Sequence, residues 1–489
     1  MFILGAIVAI IVILLTLTPW WYYILFKNRK FLKQFPMPTQ LPLLGYTYKL
    51  RNTVDLYYVI ESEIKTLGKS FFAMVGPIPT LFTADPKIFS LILGSPKHIN
   101  KPERLSKMLS NSIANSLIAV NGDEWRQQRK FLNPALDYTS VIENINVFNE
   151  KSNGLIKRLE VEINNESTEM GKVFGCYTLE QAYESLLGDT VLTDKTEFLN
   201  AVRLFMKICM DRAISPTTYL HATYVFTKTY WKERKTLKIL FDHVRELIRK
   251  KKIELHENKI IERRPILIDI LINHMENDKN ITEHFISSQL IMMLAAAFDT
   301  TATTLSFLLY HLSIFPKIQQ KAYDEVFAML GDDINQPITN HHVKEMKYLD
   351  LVIKESMRMK ASAPLFVRTL NEDINYEGTI LPKGLMVLML PFMMHMDPDV
   401  YPEPEKFIPE RFLVENLNPN RYSYAPFNAG IRNCIGQKFA MLSMHVVLAK
   451  LLLNYEFVEV KQELILCAEI TLRSKTGIKV GIRKRNKKN

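Results

Sequence analysis

The segment from Phe285 to Leu312 limits the possible folds more than any other part of the chain. It follows Thr282, ends shortly before Pro316, and carries one formally charged side chain, Asp299. Thr282 is a suitable N-cap and Pro316 a suitable stop, so one long helix is predicted. A helix that is apolar on nearly every face belongs at the centre of a large globule. A carboxylate in that position must be hydrogen-bonded or functional, because unpaired burial is costly.

The composition indicates one large domain rather than several. The 489 residues are 47% hydrophobic and 23% charged, and no Ser/Gly-rich linker, repeat or low-complexity tract follows residue 45. The net charge of +11 is concentrated at the two ends, since residues 1–54 and 470–489 together hold fourteen basic and no acidic side chains. The body between them holds 48 basic and 51 acidic residues. Nucleic-acid binding is therefore not indicated.

The N-terminus predicts a membrane anchor. Residues 1–26 carry no charge, are long enough to cross a bilayer as a helix, and end in aromatic residues directly before a basic stretch. We expect an uncleaved single-pass anchor at 1–26, a basic flank and proline-rich connector at 27–45, and one globular domain at 46–489 on the cytoplasmic face. The alternative, a cleaved secretory signal, lacks a basic n-region and a small-residue cleavage site here.

The remaining pattern is mainly helical with short strands. Strands are predicted at 70–75 and 80–83 around a Gly-Pro turn, at 366–369, at 384–390 and near the C-terminus. A helix at 347–360 places Glu355 and Arg358 on one face. The basic stretch 245–264 alternates charged and apolar residues, which predicts the solvated face of an amphipathic helix. The expected fold class is mainly α with small β-sheets.

One of the four cysteines stands in an unusual setting. Cys176, Cys209 and Cys467 are scattered without a Cys-x-x-Cys pair, so each is expected to be a buried, inert thiol. Cys434 instead ends a turn that contains glycine and precedes a helical run from residue 437. A thiolate at a helix N-terminus is stabilised by free N–H groups and can bind a metal.

The ten residues from Phe427 to Gly436 resemble the signature Phe-x-x-Gly-x-Arg-x-Cys-x-Gly of the cytochrome P450 family. Four further motifs occur in the order that the family shows: Trp125 to Arg129, Ala296 to Thr301, Glu355 to Arg358, and Pro409 to Phe412. The sequence around Cys434 is most similar to that of the family-4 clan of microsomal members. The resemblance implies a haem-thiolate catalytic domain over residues 46–489.

Residue roles follow from the same resemblance. It implies that Cys434 is the axial ligand of a haem b iron, and that Asp299 and Thr300 deliver protons to iron-bound dioxygen. It implies further haem contacts and a buried charged triad that shapes the cysteine loop. The implied haem contacts are Phe427, Gly430, Arg432, Gly436, Trp125, Arg129 and Arg368, and the implied triad is Glu355, Arg358 and Arg411.

The implied substrate-facing residues are mostly apolar, which indicates a hydrophobic substrate such as a fatty acid, terpenoid, hormone-like lipid or xenobiotic. Ala297 and Phe298 depart from the family pattern, which usually has glycine and a polar residue there. Ala296 stands where many family-4 members carry a glutamate that esterifies haem, so non-covalent haem is expected. The substrate-facing set is Ala296, Ala297, Ala363, Leu365, Phe366, Val367 and Leu472.

The reaction implied is monooxygenation at the endoplasmic reticulum membrane. Its partners are membrane lipid, NADPH-cytochrome P450 reductase as the electron source, cytochrome b5 as a second donor, and no nucleic acid. Two alternatives share parts of the pattern. A haem-thiolate isomerase or dehydratase needs no reductase, and such enzymes often lose the threonine that is present here as Thr300. A haem-binding or lipid-binding protein without turnover is the other alternative, which Ala297 leaves open.

Overall fold

The computed structural model describes most of the chain. The described residues are 18, 19, 21, 23, 34–109, 113, 115–163, 165–188, 195–215, 221–257, 264–331, 333 and 336–485. The expected anchor and its basic flank lie almost entirely outside them. The domain boundaries proposed from the sequence stay predictions.

The described chain is mainly helical with four small sheets, as the sequence predicts. The helices are α1 Thr53–Leu67, α2 Pro86–Leu93, α3 Glu103–Met108, α4 Gly122–Leu132, α5 Tyr138–Glu143, α6 Ile145–Leu159, α7 Met170–Leu187, α8 Lys195–Ile214, α9 His221–Tyr224, α10 Lys228–Glu257, α11 Leu267–Asn277, α12 Glu283–Ile314, α13 Pro316–Leu330, α14 Asn340–Glu345, α15 Lys347–Met359, α16 Pro391–Met394 and α17 Gln437–Asn454. The strands are β1 Ser70–Val75, β2 Ile78–Thr83, β3 Thr168–Glu169, β4 Phe366–Thr369, β5 Ile374–Tyr376, β6 Thr379–Leu381, β7 Met386–Met389, β8 Tyr455–Val458, β9 Leu466–Ala468, β10 Leu472–Ser474 and β11 Lys479–Lys484.

Helix α12 is the predicted central helix. The Thr282 hydroxyl accepts a hydrogen bond from the Phe285 N–H at its N-terminus, which satisfies one of the free donors there. The helix packs against α7, α10, α15 and β8. It is the one helix among the described residues that is long and apolar enough to cross a membrane, but 78% of its apolar window is buried inside the protein. Its hydrophobicity thus reflects a position in the core.

The largest sheet supports one side of the core. Its strand order is β1-β2-β7-β4, with β2 and β7 parallel and the other neighbours antiparallel. The β1–β2 hairpin turns at Gly76 as predicted, although β2 begins two residues before the predicted strand. The other sheets are β3-β11-β8, β5-β6 and the short hairpin β9-β10.

One expectation about the cysteines is wrong. Cys209 and Cys467 are buried, but Cys176 is exposed. The buried positions of α7 leave Lys172 and Cys176, one helical turn apart, on the face that points to solvent. Hydrophobic character alone did not identify the exposed face, because α7 is apolar at most of its positions.

The charged triad predicted from the sequence is assembled beside α12. Glu355 and Arg358 are both fully buried, with Arg358 Nε 2.7 Å from Glu355 Oε2 and Arg411 Nε 3.4 Å from Glu355 Oε1. Arg358 also donates to the backbone oxygens of His395 and Pro404, at 2.8 and 2.7 Å. The buried carboxylate and guanidinium therefore hold α15 to the segment that leads to the cysteine loop.

Breaking this pair should be more costly than breaking an exposed pair on the same helix. Because Glu355→Ala leaves Arg358 charged and buried without its partner, we expect the free energy of unfolding to fall by about 3–5 kcal/mol. Lys354→Ala removes the neighbouring, partly exposed pair with Asp350 and should cost less than about 1 kcal/mol. Urea unfolding of both variants measures the difference, and equal losses would contradict the triad's structural role.

Candidate active site

The cysteine loop, Phe427–Gly436, folds back on itself. The Cys434 N–H donates to the Phe427 carbonyl oxygen at 2.9 Å. Gly430 has φ +71° and starts a short 3₁₀ turn. A Cβ atom at Gly430 would lie 1.9 Å from the Leu93 carbonyl oxygen, so α2 approaches the loop too closely for any side chain. The glycine in this pattern is thus required by both the turn and the packing.

A cavity separates this loop from the central helix. Cys434 is among the residues that line it. Ala296, Ala297 and Thr300 of α12 line one side, while Phe427 and Gly436 line the side of the loop. The other lining residues are Leu136, Leu186, Met293, Thr301, Thr304, Ser362, Ala363, Phe366, Pro426, Asn428, Arg432, Ile435, Phe439, Ala440 and Met444.

Opposing effects act on the Cys434 thiol. Desolvation by the surrounding protein raises its pKa, and the Gly436 N–H and the nearby Arg129 guanidinium offset that rise only in part. The N–H comes from the residue just before α17, which agrees with a thiolate stabilised at a helix N-terminus. The sulfur is therefore presented to the cavity with donors already directed at it.

Two further cationic side chains, Arg368 and Lys101, lie near Arg432, which lines the cavity. Burial lowers the pKa of Arg432 to about 9 and that of Arg368 to about 10. Lys101 has its pKa lowered well below the usual value, first by burial and then by the charges of those two arginines. Arg368 Nη2 is buried and has no hydrogen-bond partner among the described residues.

Such a cluster fits an anionic group that binds in the cavity. Buried cations that repel one another are costly, and carboxylates would supply both the missing charge and the missing acceptor. Arg368 and Arg432 also border a small adjoining space that His98 lines. The cavity with a sulfur donor on one wall and cations at one end therefore fits a flat, metal-centred cofactor with acidic side groups, such as haem.

Trp125 and Arg129 lie on the loop side of this arrangement. Arg129 donates to the Asn433 carbonyl oxygen at 2.7 Å and to its side-chain oxygen at 2.9 Å, so its guanidinium contacts the residue before Cys434. The Arg432 guanidinium carbon lies 5.2 Å from the centre of the Trp125 ring. Both motif residues thus contact the cysteine loop itself in this structure.

Asp299 and Thr300 point in different directions. Thr300 lines the cavity, and its hydroxyl donates to the Ala296 carbonyl oxygen at 2.8 Å, which leaves oxygen lone pairs available. Asp299 does not line the cavity. Its carboxylate accepts from Thr471 Oγ1 at 2.5 Å and forms an ion pair with Arg473. These contacts with Thr471 and Arg473 direct the Asp299 side chain away from the cavity.

Some of the predicted substrate-facing residues line the cavity and others do not. Ala296, Ala297, Ala363 and Phe366 line the cavity. The remaining three do not: Leu365 and Val367 flank Phe366 along the chain, and Leu472 is 1% exposed within a second core cluster.

Several residues that shape the site were not found from the sequence. Lys101, Thr471 and Arg473 belong to none of the motifs, yet Thr471 and Arg473 contact Asp299 and Lys101 lies within electrostatic reach of Arg368 and Arg432. Arg473 follows the predicted Leu472 directly, but nothing in its local sequence indicates a partner 174 residues away. Their roles arise only from the tertiary fold.

The comparison with known proteins agrees with this geometry. A sequence model of the cytochrome P450 family matches residues 35–480. The chain therefore belongs to the cytochrome P450 family and is a haem-thiolate monooxygenase.

Within that family, its relatives are members of family 4. It is 29% identical to human cytochrome P450 4V2, with 94% of this chain and 91% of that protein covered. It is 28% identical to cytochrome P450 4c3 of Drosophila melanogaster, with 94% and 90% covered. It is 30% identical to the mitochondrial cytochrome P450 4e5 of Drosophila mettleri, with 88% and 85% covered.

When bound, haem with a thiolate ligand activates dioxygen, because the sulfur supplies electron density that favours O–O cleavage.

Substitution of Gly430 tests whether the close approach of α2 to the cysteine loop is needed for haem binding. We expect Gly430→Ala to lower the amount of haem retained after purification, because the added methyl group meets the Leu93 carbonyl oxygen and the positive φ is unfavourable. Gly154→Ala is the matched control: that exposed helical site has open space, and the change should stabilise the fold by about 0.5–1 kcal/mol. Haem absorbance per protein gives the readout, and full haem content in Gly430→Ala would contradict the close approach.

Proposed function

We propose that this cytochrome P450 inserts one oxygen atom from O₂ into a hydrophobic substrate, with electrons from NADPH delivered by a flavoprotein reductase. The observation that carries the proposal is the cavity itself, which Cys434 and Thr300 line together with mainly apolar residues. A fatty acid, terpenoid, hormone-like lipid or lipophilic xenobiotic fits such a lining.

The residue roles follow from position. Cys434 would bind the haem iron, while Phe427, Gly430 and Gly436 shape the loop around it. Arg368 and Arg432 would bind the haem carboxylates, and Arg129 with Trp125 would hold the loop from behind. Thr300 would accept a hydrogen bond in the cavity and pass on a proton. Asp299 would renew that proton, although its side chain first has to leave Arg473.

The substrate would meet mainly small and aromatic side chains. Ala296 and Ala297 line the cavity from α12. Ala363, which precedes β4, and Phe366, the first residue of β4, also line it. Leu365, Val367 and Leu472 lie behind that layer and would support it. Small residues on the helix side favour a bulky or curved apolar substrate over a small polar one, because more volume is left to fill.

A basic groove beside the cysteine loop supports an acidic electron donor. Lys344, Lys347, Lys354 and Lys438 line this groove at the start of α17, with Asp350 as an acidic neighbour. Complementary charge raises the rate at which an acidic partner associates. We assign this face to NADPH-cytochrome P450 reductase, with cytochrome b5 as a second donor.

The location follows from the N-terminal sequence. Residues 1–26 would form a single-pass anchor in the endoplasmic reticulum membrane, and residues 27–45 would connect it to the cytoplasmic catalytic domain. The basic flank would contact anionic lipid. We propose no nucleic-acid partner.

The direct experiment is a panel of lipophilic compounds incubated with the full chain, reductase and NADPH, with products identified by mass. We expect a product heavier by one oxygen atom, labelled when ¹⁸O₂ is supplied, and dependent on both NADPH and reductase. Thr300→Val should reduce product by about 10² or more, because a positioned proton donor contributes at least that much. Product that forms without NADPH and reductase would overturn the proposal.

Haem should be bound without a covalent bond to the chain. Ala296 lines the cavity and has no carboxylate with which to form an ester. Acid denaturation followed by chromatography should therefore release all haem from the wild type. Ala296→Glu places a carboxylate at the same position and should retain part of the haem after turnover. Haem that stays on the wild-type polypeptide would contradict this assignment.

A further inference from the structure

The start of α10, residues 228–238, presents a basic surface without an exposed acid. Its one acidic residue, Glu233, is buried: Arg212 Nη1 of α8 lies 3.0 Å from Glu233 Oε1, and the Tyr224 hydroxyl donates to the same carboxylate. The basic residues of this segment are all exposed. They are Lys228, Lys232, Arg234, Lys235 and Lys238. The fold thus draws the negative charge inward and leaves the positive charges at the surface.

None of these cations forms an ion pair with another residue that the structure describes. Farther along α10 the pattern changes, because acidic residues alternate with basic ones. Arg249 pairs with Glu246 at 2.7 Å, and Arg245 lies 4.0 Å from Asp242. The helix packs against α8, α11 and α12 through its apolar side. The unpaired positive charge is therefore confined to the start of the helix.

Two large aromatic side chains are exposed at the same place. Phe226, in the turn before α10, is 88% exposed, and Trp231 is 66% exposed. The Trp231 ring packs edge-on against Tyr230 with the ring centres 5.3 Å apart, so it is supported although it is open to solvent. Aromatic rings beside cations are typical of the membrane–water interface. Phe226, Trp231 and the basic residues of 228–238 are called the basic face below.

The shape of the basic face favours lipid over a protein partner. Lys228, Lys232 and Lys235 are spaced i, i+4 and i+7, so they follow one side of the helix. The exposed side of a helix is convex, and charges spread along it fit a flat, fluid surface whose headgroups can each move to a cation. The groove assigned above to the electron donor is different, because it is concave and includes the acidic Asp350.

The predicted anchor would keep the basic face close to a bilayer. Because residues 1–26 would hold the domain at the membrane, a second contact forms within one molecule and needs little affinity of its own. Trp21, one of the few described residues of that segment, is 3% exposed in the buried cluster that also contains Ile214. Ile214 is the last residue of α8, the helix whose Arg212 pairs with Glu233. The end of the anchor and α8 thus share one hydrophobic cluster.

We propose that the basic face docks on the surface of an anionic phospholipid bilayer, with its cations at the headgroups and the Phe226 and Trp231 rings between them. This contact is additional to the anchor and fixes the orientation of the domain on the membrane. It does not depend on the proposed NADPH-supported reaction. Because salt screens the attraction between exposed charges, docking weakens as the ionic strength rises.

The test uses the full-length chain in lipid nanodiscs of phosphatidylcholine, alone or mixed with phosphatidylserine. Lipids brominated near the headgroup quench a tryptophan that reaches them, and subtracting the signal of Trp231→Phe isolates Trp231. We expect quenching of Trp231 to rise by at least about threefold when phosphatidylserine is present, because several cations then meet anionic headgroups. High salt should reverse most of that rise.

Two triple variants separate the basic face from the net charge. Lys228→Gln/Lys232→Gln/Lys235→Gln should lower the quenching in phosphatidylserine to the level seen in phosphatidylcholine alone. Arg249→Gln/Lys250→Gln/Lys252→Gln is the matched control, since it removes the same charge from the other end of α10 and should leave the quenching unchanged. Circular dichroism and the haem content of both variants check that each one is folded.

A second readout uses the wild-type chain and needs no tryptophan. A water-soluble amine reagent at low dose labels exposed lysines, and mass spectrometry reports the extent at each position. Phosphatidylserine should protect Lys232 and Lys235 by about threefold and leave Lys250 unprotected, because only the former meet the headgroups.

Two results would overturn the proposal. The first is quenching of Trp231 that is equal in the two lipid mixtures or unchanged in the variant of the basic face. The second is protection of Lys232 and Lys235 by added reductase in phosphatidylcholine, with no protection by phosphatidylserine, since the basic face would then bind an acidic protein. A chain that consumed no NADPH would instead contradict the proposed reaction, and the docking would still be measured, because neither readout requires turnover.

Discussion

The burial of the central helix on all sides is the constraint on which the rest of the structure depends. Helix α12 is enclosed by α7, α10, α15 and β8, so its orientation is fixed by packing. One stripe of small and hydroxyl-bearing residues, which includes Ala296, Ala297 and Thr300, is left facing a cavity. The opposite wall has to be placed with similar accuracy, and the buried pair of Glu355 and Arg358 does this by binding the backbone before the cysteine loop.

The charges around the cavity are arranged for a cofactor rather than for the stability of the empty protein. Burial lowers the pKa of Lys101, Arg368 and Arg432, and the charges of the two arginines lower that of Lys101 further. Such a group is unfavourable until an anion joins it. Haem carboxylates would supply that anion, so haem binding and folding of this region are thermodynamically linked. The Cys434 sulfur has the Gly436 N–H and the Arg129 guanidinium beside it, and both favour its thiolate against the effect of burial.

The sequence was sufficient for the parts of the site that depend on local pattern. The cysteine loop, the helix at 347–359 and the long apolar helix are each specified by residues close together in the chain, through glycine conformation, i, i+3 spacing and a cap. The register of β2 and the exposure of Cys176 were not predictable in this way. Both depend on which face of an apolar element meets a distant neighbour, and periodicity is weak when most positions are apolar.

The surroundings of Asp299 could be predicted only in part from the local sequence. A carboxylate in the middle of an apolar helix must have partners, and that much follows from the cost of burial. The sequence also places it beside Thr300, which suggests a shared direction towards the cavity. In the structure, however, Thr300 lines the cavity and Asp299 is directed to other partners. The partners are Thr471 and Arg473, on a hairpin that also contacts the cavity wall through Leu472. Burial thus requires a partner for Asp299, and the fold supplies a cation from a hairpin that is distant in the sequence.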